Sequence, residues 1–268
     1  MHSEIKHLIP IREKLTSFSH GVQRVTLNAL LPLRCLCCDT RVGSEDGLCP
    51  VCWHGMPFIE KPVCYRLGTP FSFDLGEQAW SPRAIASPPD FERLRSVAFY
   101  EGSAQNLILA FKFAGRRELA RPMGKWMNGA GREFLRTDSV IVPVPLHWSR
   151  LLSRRFNQSA ALAQVIAKEC GGDYEPDLLR RSKRTRRQVG LSAKERHKNV
   201  RSAFTFDKNR AGQFNGRHVV LIDDVITTGS TIAACTKTLL AAGASSVDVL
   251  TFALADPSRN NGDGMVVP

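Results

Sequence analysis

The fold of this chain is decided by residues 218–232, His-Val-Val-Leu-Ile-Asp-Asp-Val-Ile-Thr-Thr-Gly-Ser-Thr-Ile. Residues 219–222 are four apolar side chains without a polar break, which predicts a strand buried on both faces, as in a parallel sheet. Asp223 and Asp224 come next, at the expected C-terminal end of the strand, where open α/β sheets bind their ligands. We therefore expect both carboxylates to be exposed in a ligand-binding cleft.

The residues after the two acids predict a phosphate-binding loop. Residues 227–231 are small and rich in hydroxyl groups, and residues 232–242 predict a helix. Small side chains let backbone N–H groups approach an anion, and a helix N-terminus adds about half a positive charge. The alternative is an ordinary strand, turn and helix cap, in which Asp and Thr only suit the turn. A Walker loop is disfavoured because no Gly-Lys-Ser/Thr occurs here, and a dinucleotide fingerprint because the glycines do not recur.

Residues 221–231 resemble the phosphoribosyl-pyrophosphate (PRPP) motif of type I phosphoribosyltransferases. The resemblance implies that Asp223 and Asp224 are the catalytic acids and contact the ribose hydroxyls. It also implies that the loop after them holds the 5′-phosphate, with Mg²⁺ bound together with PRPP. The PRPP-binding residues implied in this stretch are Asp223, Asp224, Val225, Ile226, Thr227, Thr228, Gly229, Ser230 and Thr231.

Composition places the chain among globular proteins with a strongly basic charge balance. Its 268 residues suffice for one large and one small domain, and 43% of them are hydrophobic. No apolar run reaches the roughly 18 residues of a membrane-spanning helix, and no secretory signal is visible. We therefore expect a cytoplasmic protein without a membrane span. The net charge of +12 favours a polyanionic partner or substrate.

Five of the eight cysteines lie between residues 35 and 52, which favours metal binding over disulfides. Cys35 and Cys38 form one C-x-x-C pair, and Cys49 and Cys52 form a second pair after a ten-residue gap. Four thiolates with this spacing can surround Zn²⁺ tetrahedrally, so we predict one structural zinc ion at these residues. The alternatives are free buried cysteines or a redox C-x-x-C, which two adjacent pairs disfavour.

Two further cysteines have roles that the sequence leaves open. Cys37 is a spare thiol or a replacement for a neighbouring ligand. Cys64 opens the segment Cys-Tyr-Arg-Leu-Gly, which looks like another cysteine knuckle whose second cysteine is replaced by Leu67. We therefore assign no metal to Cys64.

Periodicity and composition divide the chain into five segments. Strand patterns at residues 97–100, 139–144 and 247–254 alternate with helical ones, which predicts an α/β domain with a mostly parallel sheet flanked by helices. The predicted segments are an N-terminal helical segment at 1–31, a small zinc-ribbon domain at 32–75, a linker at 76–95, a phosphoribosyltransferase-like domain at 96–256 and a disordered tail at 257–268.

Two basic segments are candidates for contact with anions. Pro145 follows the strand predicted at 139–144 and leads to Arg150, which predicts a second anion-binding loop. The resemblance to phosphoribosyltransferases implies that this loop contacts the pyrophosphate. Residues 176–201 hold ten Lys or Arg side chains against two acidic ones, which indicates a long exposed loop. That loop is a mobile cover over the site, a nucleic-acid contact or a solvated charge run. Its nucleic-acid candidates are Arg184, Arg186 and Arg187.

Taken in order, these features resemble the ComF family. The resemblance rests on the cysteine pairs, on Val-Pro-Val-Pro-Leu at 142–146, on Arg-Phe-Asn-Gln at 155–158 and on the PRPP motif. ComF proteins are amidophosphoribosyltransferase-like and are linked to DNA uptake in naturally competent bacteria.

The resemblance implies two alternative functions. In the first, the protein binds PRPP with Mg²⁺ and transfers a phosphoribosyl group, as a glycosyltransferase, to an unknown acceptor. In the second, it is a non-catalytic component of DNA uptake that binds single-stranded DNA or adapts a competence motor protein. The sequence leaves the oligomeric state open, with a dimer as one candidate.

Overall fold

A computed structural model of the protein describes residues 33–44, 47–146, 156–181, 204–207, 209, 214–256 and 259. The chain forms two compact units, Met1–Cys52 and Trp53–Pro268. None of the helices in the described ranges has both the length and the apolar character needed to cross a bilayer. The predicted segment boundaries at residues 75 and 95 stay predictions.

The second unit alternates strands and helices, as the sequence predicts. The strands in its described ranges are β1 (Leu94–Phe99), β2 (Val140–Pro143), β3 (Asp173–Tyr174), β4 (Leu179–Arg181), β5 (Phe204–Phe206), β6 (His218–Ile226) and β7 (Ser246–Leu254). The helices of the described chain are α1 (Pro50–His54), α2 (Pro82–Ala86), α3 (Gly102–Phe113), α4 (Ala120–Ala130), α5 (Gln158–Cys170) and α6 (Ser230–Ala241), with a 3₁₀ turn at Arg117–Leu119.

The main sheet has five parallel strands in the order β1-β7-β6-β2-β3, which confirms the predicted α/β class. Strand β6 is central and is longer than the four apolar residues suggest. Its last residues, Val225 and Ile226, still pair with Ala253 and Leu254 of β7. The two acids of the motif therefore lie inside the last part of the strand rather than beyond it.

Helices cover both faces of this sheet, which is why apolar side chains predominate in strands β2, β6 and β7. On one face, Ile232 and Leu239 of α6 share a buried cluster with Val219 and Leu221 of β6. On the other face, the ring of Phe252 on β7 lies 6.1 Å from that of Trp126 on α4. Helices α4 and α5 pack on each other and on the sheet. Because successive side chains of a strand point to opposite faces of the sheet, neighbouring residues of β6 face different helix layers.

A buried polar network ties together the N-terminal ends of the strands. Asp248 is only 1% exposed, and its two carboxylate oxygens accept hydrogen bonds from Arg93 at 3.1 and 2.7 Å. The carboxylate also lies 2.8 Å from Nε2 of His218, whose Nδ1 lies 3.0 Å from the hydroxyl of Ser139. Burial would raise the pKa of Asp248, but the hydrogen bonds from His218 and Arg93 outweigh it and hold that pKa below its ordinary value.

We predict that Asp248→Asn lowers the free energy of unfolding by about 3 kcal/mol at neutral pH, because it leaves Arg93 without its buried counter-ion. An acid with a depressed folded-state pKa contributes stability that is present above its unfolded pKa and is lost as the pH falls through the folded pKa. The difference from wild type should therefore shrink below about pH 4. Urea unfolding across the acid range measures it. The exposed Asp138→Asn is the matched control, and equal losses in the two variants would contradict the prediction.

Candidate functional site

The two acids of β6 hold different partners. A carboxylate oxygen of Asp223 accepts a hydrogen bond of 2.8 Å from the hydroxyl of Ser159, in the first turn of α5. That helix begins where Asn157 caps it, with the Asn157 side chain accepting from the backbone N–H of Ser159. The same oxygen of Asp223 also accepts the backbone N–H of Asp224 at 2.9 Å. Asp223 is half-buried and is oriented on one side by the start of α5.

Asp224 is 6% exposed, so the expectation that both acids lie open in the cleft is wrong for this residue. Its carboxylate forms a 2.8 Å ion pair with the ammonium of Lys112, in the last turn of α3, and the Lys112 side chain is 14% exposed. The physical reason is the alternation of the strand, which turns consecutive side chains to opposite sides. A charge so far from water needs a counter-ion, and Lys112 supplies it.

The carboxyl group of Asp223 has a strongly raised pKa. Burial and the neighbouring charge of Asp224 raise the pKa of Asp223 to about 7, although the hydrogen bond from Ser159 and the charge of Lys112 oppose the shift. The carboxyl group of Asp223 therefore changes charge near neutral pH. Such a group, at the C-terminal end of a central parallel strand, is typical of a ligand-binding site.

The predicted phosphate loop has the geometry of an anion site. Helix α6 begins at Ser230, two residues earlier than expected, and its N-cap residue is Gly229, with a φ of +74°. Gly229 provides no side chain to accept the amide hydrogens of the first helical turn, which have no acceptor within the helix either. Thr227 and Thr228 are exposed, and the hydroxyl of Thr228 lies 3.0 Å from that of Ser230. The loop thus offers amide and hydroxyl donors at the positive end of α6.

The pyrophosphate side of the predicted site is described only in part. Pro145 is buried two residues after the end of β2, and the backbone N–H of Val144 before it donates to Ile222 of β6 at 2.9 Å. This brings the first residues after β2 next to the strand that carries the acids. Four predicted site residues lie outside the described residues, namely Arg150, Arg184, Arg186 and Arg187.

The first unit brings the four predicted zinc ligands together. The sulfur atoms of Cys35, Cys38, Cys49 and Cys52 all lie within 4.8 Å of one another, and those of Cys38 and Cys49 are 3.6 Å apart. A tetrahedron of sulfurs at the usual Zn–S distance has edges of about 3.8 Å. The donor set therefore fits a structural Zn²⁺ ion. Cys37 is outside the four, so the spare-thiol alternative is the one that the geometry favours.

Electrostatics in this cluster also suit a cation. The Thr40 hydroxyl and backbone lower the pKa of Cys38 to about 6, which favours its thiolate form. Burial and hydrogen bonds with its cysteine neighbours raise the pKa of Cys52, since several thiolates cannot share so small a volume without a counter-charge. A bound zinc ion would allow all four thiols to ionise together.

Lys112 and Ser159 are the functional candidates that sequence reasoning missed. Lys112 lies in the last turn of a helix whose other side chains already explain its amphipathic pattern, and nothing local separates a buried lysine from a solvated one. Ser159 follows the cap residue of a helix, where serine is common for other reasons. Both partners of the acids come from helices distant in sequence, so only the fold reveals them.

We predict that Lys112→Met lowers the free energy of unfolding by about 3 kcal/mol, because Asp224 then loses its partner in a buried pair. The charge of Lys112 also holds down the pKa of Asp223, so removing it should move that pKa upward from about 7. Urea unfolding and a pH titration of Asp223 by NMR measure the two effects. Lys112→Arg should retain most of the stability, and the exposed Lys168→Met should change neither quantity. An unaltered Asp223 pKa in Lys112→Met would contradict the assignment.

Comparison with known proteins finds two family matches along the chain. Residues 26–84 match the family described as a double zinc ribbon domain, and residues 157–264 match the phosphoribosyl transferase domain. The latter range contains the acids, the phosphate loop and helix α5. The fold and the cysteine cluster thus define a phosphoribosyltransferase-type α/β protein with an N-terminal zinc ribbon.

Three relatives narrow the class further. The chain is 32% identical over 208 residues to the DNA utilization protein YhgH of Escherichia coli, covering 76% of this chain and 88% of that protein. It is 28% identical over 228 residues to competence protein F of Haemophilus influenzae, with 83% and 97% covered. It is 29% identical over 246 residues to competence protein ComFC of Bacillus subtilis, with 86% and 90% covered. The chain therefore belongs to the ComF family, together with YhgH and the competence proteins.

Proposed function

We propose that this protein binds PRPP with Mg²⁺ at the C-terminal end of β6. The observation that carries the proposal is the combination on one strand end of a half-buried acid, Asp223, and an open helix N-terminus at Gly229. The loop at residues 227–231 would hold the 5′-phosphate through its amide and hydroxyl groups. The acids would accept hydrogen bonds from the ribose hydroxyls, with Asp224 held in place by Lys112.

The same arrangement supports phosphoribosyl transfer as the reaction. Departure of pyrophosphate leaves positive charge on the ribose, and carboxylates near the ring would stabilise that charge. Carboxylate oxygens are also the donors that Mg²⁺ prefers, so Asp223 and Asp224 fit the ion that accompanies PRPP. The loop after Pro145, with Arg150, is the proposed contact for the pyrophosphate. The acceptor of the phosphoribosyl group is left open in this proposal.

Single-stranded DNA is the second candidate ligand. It is favoured by the net charge of +12 and by the names of relatives, which refer to DNA utilization and competence. Counterion release would make such binding weaken with salt, at a log–log slope of about −0.7 for each phosphate contacted on a single strand. The proposed contacts are Arg184, Arg186 and Arg187. A competence motor protein is the proposed partner in that role.

The two functions are separated by titrating one preparation with PRPP–Mg²⁺ and with single-stranded DNA. We expect saturable PRPP binding that needs Mg²⁺ and survives replacement of the three arginines by glutamine. DNA binding by the same loop should become weaker, with a shallower salt slope, in that triple variant. PRPP binding without DNA binding supports the first function alone. DNA binding without PRPP binding would overturn the first proposal and leave the second.

A further inference from the structure

Residues 33–42 and 62–71 form the same hairpin, at a constant offset of 29 positions. In the first, Cys35 donates its backbone N–H to Thr40 at 2.7 Å, and in the second, Cys64 donates to Thr69 at 2.8 Å. Three other features repeat at the same offset. The backbone hydrogen bond from Val42 to Leu33 (2.9 Å) corresponds to that from Phe71 to Pro62 (2.8 Å), and the β-bridge Arg34–Arg41 corresponds to the β-bridge Val63–Pro70. The positive φ of Asp39 corresponds to that of Gly68. The chain therefore contains a structural repeat.

The second half of each copy also matches, at an offset of 32 because the connecting loop is three residues longer. Leu36 donates to Gly47 at 3.2 Å in the first copy, and Tyr65 donates to Ala79 at 2.8 Å in the second. A five-residue helix closes each copy and begins at a proline, α1 at Pro50 and α2 at Pro82. The repeat thus extends to residue 86, through the segment that composition predicts as a linker.

The repeat includes the amide groups that surround a metal-binding sulfur. The sulfur of Cys64 accepts backbone N–H groups from Leu67 at 3.5 Å and Ser81 at 3.1 Å. The backbone amides that face each sulfur occupy the same relative positions in the two copies. Around Cys35 they are the amides of Cys37, Cys38 and Cys49. Around Cys64 they are the corresponding amides of Arg66, Leu67 and Ser81. The second copy therefore retains the knuckle geometry of a zinc ribbon.

The donor set of the second copy does not fit zinc. The offsets equate the four ligands of the first copy with Cys64, Leu67, Ser81 and Ala84. Ser81 stands where Cys49 does, and its hydroxyl accepts the N–H of Ala84 at 3.3 Å, as the sulfur of Cys49 accepts that of Cys52 at 3.4 Å. Leucine and alanine have no donor atom, so one thiol and one hydroxyl remain where zinc needs four ligands.

Contacts within the Trp53–Pro268 unit hold the second copy in place. Leu67 packs against the buried cluster of the sheet, and Ala84 is fully buried. The guanidinium of Arg66 donates to the backbone oxygens of Pro89 and Phe91 at 2.8 and 2.5 Å, and it lies 5.0 Å from the ring of Trp80. Every one of these partners belongs to the same compact unit, whereas the four-cysteine copy lies in the first.

The hairpin is also fixed to the edge of the main sheet. The backbone N–H of Leu94, the first residue of β1, donates to Arg66 at 2.8 Å. Gly68 has a φ of +62°, and a Cβ atom there would lie 2.3 Å from the Leu94 oxygen. Only glycine allows so close an approach between the hairpin and the strand.

We propose that residues 62–86 are a second ribbon that folds without a metal, and that tertiary contacts with the α/β unit replace the zinc ion that the double-ribbon family implies. The proposal is independent of PRPP binding. It predicts about one zinc ion per chain, and it predicts that chelation leaves residues 62–86 folded.

The register of the repeat gives a gain-of-function test. The triple variant Leu67→Cys, Ser81→Cys, Ala84→Cys places four thiols around the second site together with Cys64, and it should bind about two zinc ions per chain. A control with three cysteines at exposed neighbours, Gln78→Cys, Arg83→Cys, Ile85→Cys, should stay at about one. A folded triple variant that binds only one ion would overturn the proposal, as would a wild type that binds two.

A second measurement decides the matter if the triple variant does not fold. In wild-type protein treated with a chelator, hydrogen exchange should speed up in residues 33–52 and stay slow at the amides of residues 62–86. Cys64→Ala should keep about one zinc ion, since Cys64 is not a ligand. Loss of protection in residues 62–86 on chelation, or loss of the zinc ion in Cys64→Ala, would overturn the proposal.

Discussion

Cys35→Ser is expected to abolish zinc binding and to unfold the described part of the first unit, residues 33–44 and 47–52, while the α/β unit stays folded. Structural zinc contributes on the order of 10–16 kcal/mol in small zinc-binding peptides, far more than a ten-residue ribbon gap can supply through its own packing. Among the described residues of this unit, the buried cluster consists of cysteines with the partly buried Val42 and Leu48 packed against them. We therefore expect the fold of this part to depend on the ion. Zinc analysis and hydrogen exchange measure the two effects.

Cys37→Ser is the matched control, because Cys37 is a neighbouring thiol outside the four-sulfur group. It should retain about one zinc ion and wild-type exchange in residues 33–52. Equal loss of zinc in the two variants would indicate that Cys37 is also a zinc ligand. Full zinc content in Cys35→Ser would show that the assignment of Cys35 is wrong.

Asp223→Asn is expected to weaken PRPP binding by about a hundredfold and, at the same time, to stabilise the fold. The binding loss follows from two hydrogen bonds between a carboxylate and ribose hydroxyls, each contributing about 1.5 kcal/mol. The gain in stability follows because asparagine removes a partly buried charge while it can still accept from Ser159. Calorimetry with PRPP–Mg²⁺ and urea unfolding measure the two effects on one preparation.

The pH dependence of that gain identifies its cause. An acid whose pKa is raised from its ordinary value to about 7 destabilises the fold as it ionises, so the destabilisation grows from about pH 4 and is complete above about pH 7. The variant should therefore exceed wild type by up to about 4 kcal/mol at about pH 8 and nearly match it at about pH 4. The surface variant Asp90→Asn should differ from wild type at neither pH. A variant that is destabilised at about pH 8 would contradict the account.

The sequence predicts strand β6 and the loop after it well, because the residue patterns that indicate them are local in the chain. An unbroken apolar run predicts a doubly covered strand, and residues 219–222 are fully buried in one. The loop after the acids predicts an anion site because small residues and a helix start are both visible in the printed order. The length of β6 is not predictable in the same way, since its last pairs depend on the register of β7.

The environment of the two acids could be recognised only from the three-dimensional fold. Asp223 and Asp224 look equivalent in the sequence, but strand alternation directs one to Ser159 and the other to Lys112. Cysteine spacing predicted the zinc cluster because each ligand is marked by its residue type. The second ribbon carries no such marks beyond Cys64, so its backbone hydrogen bonds were needed to recognise it.

Hydrogen exchange at residues 227–232, with and without ribose 5-phosphate, tests the central claim most directly. This ligand carries the phosphate and the hydroxyls assigned to the described part of the site, without the pyrophosphate. The account predicts slower exchange at these amides in wild type, a weaker effect in Asp223→Asn and no change in α2. Unchanged exchange at residues 227–232 with both ribose 5-phosphate and PRPP–Mg²⁺ at saturating concentration would contradict a phosphoribosyl site on this loop.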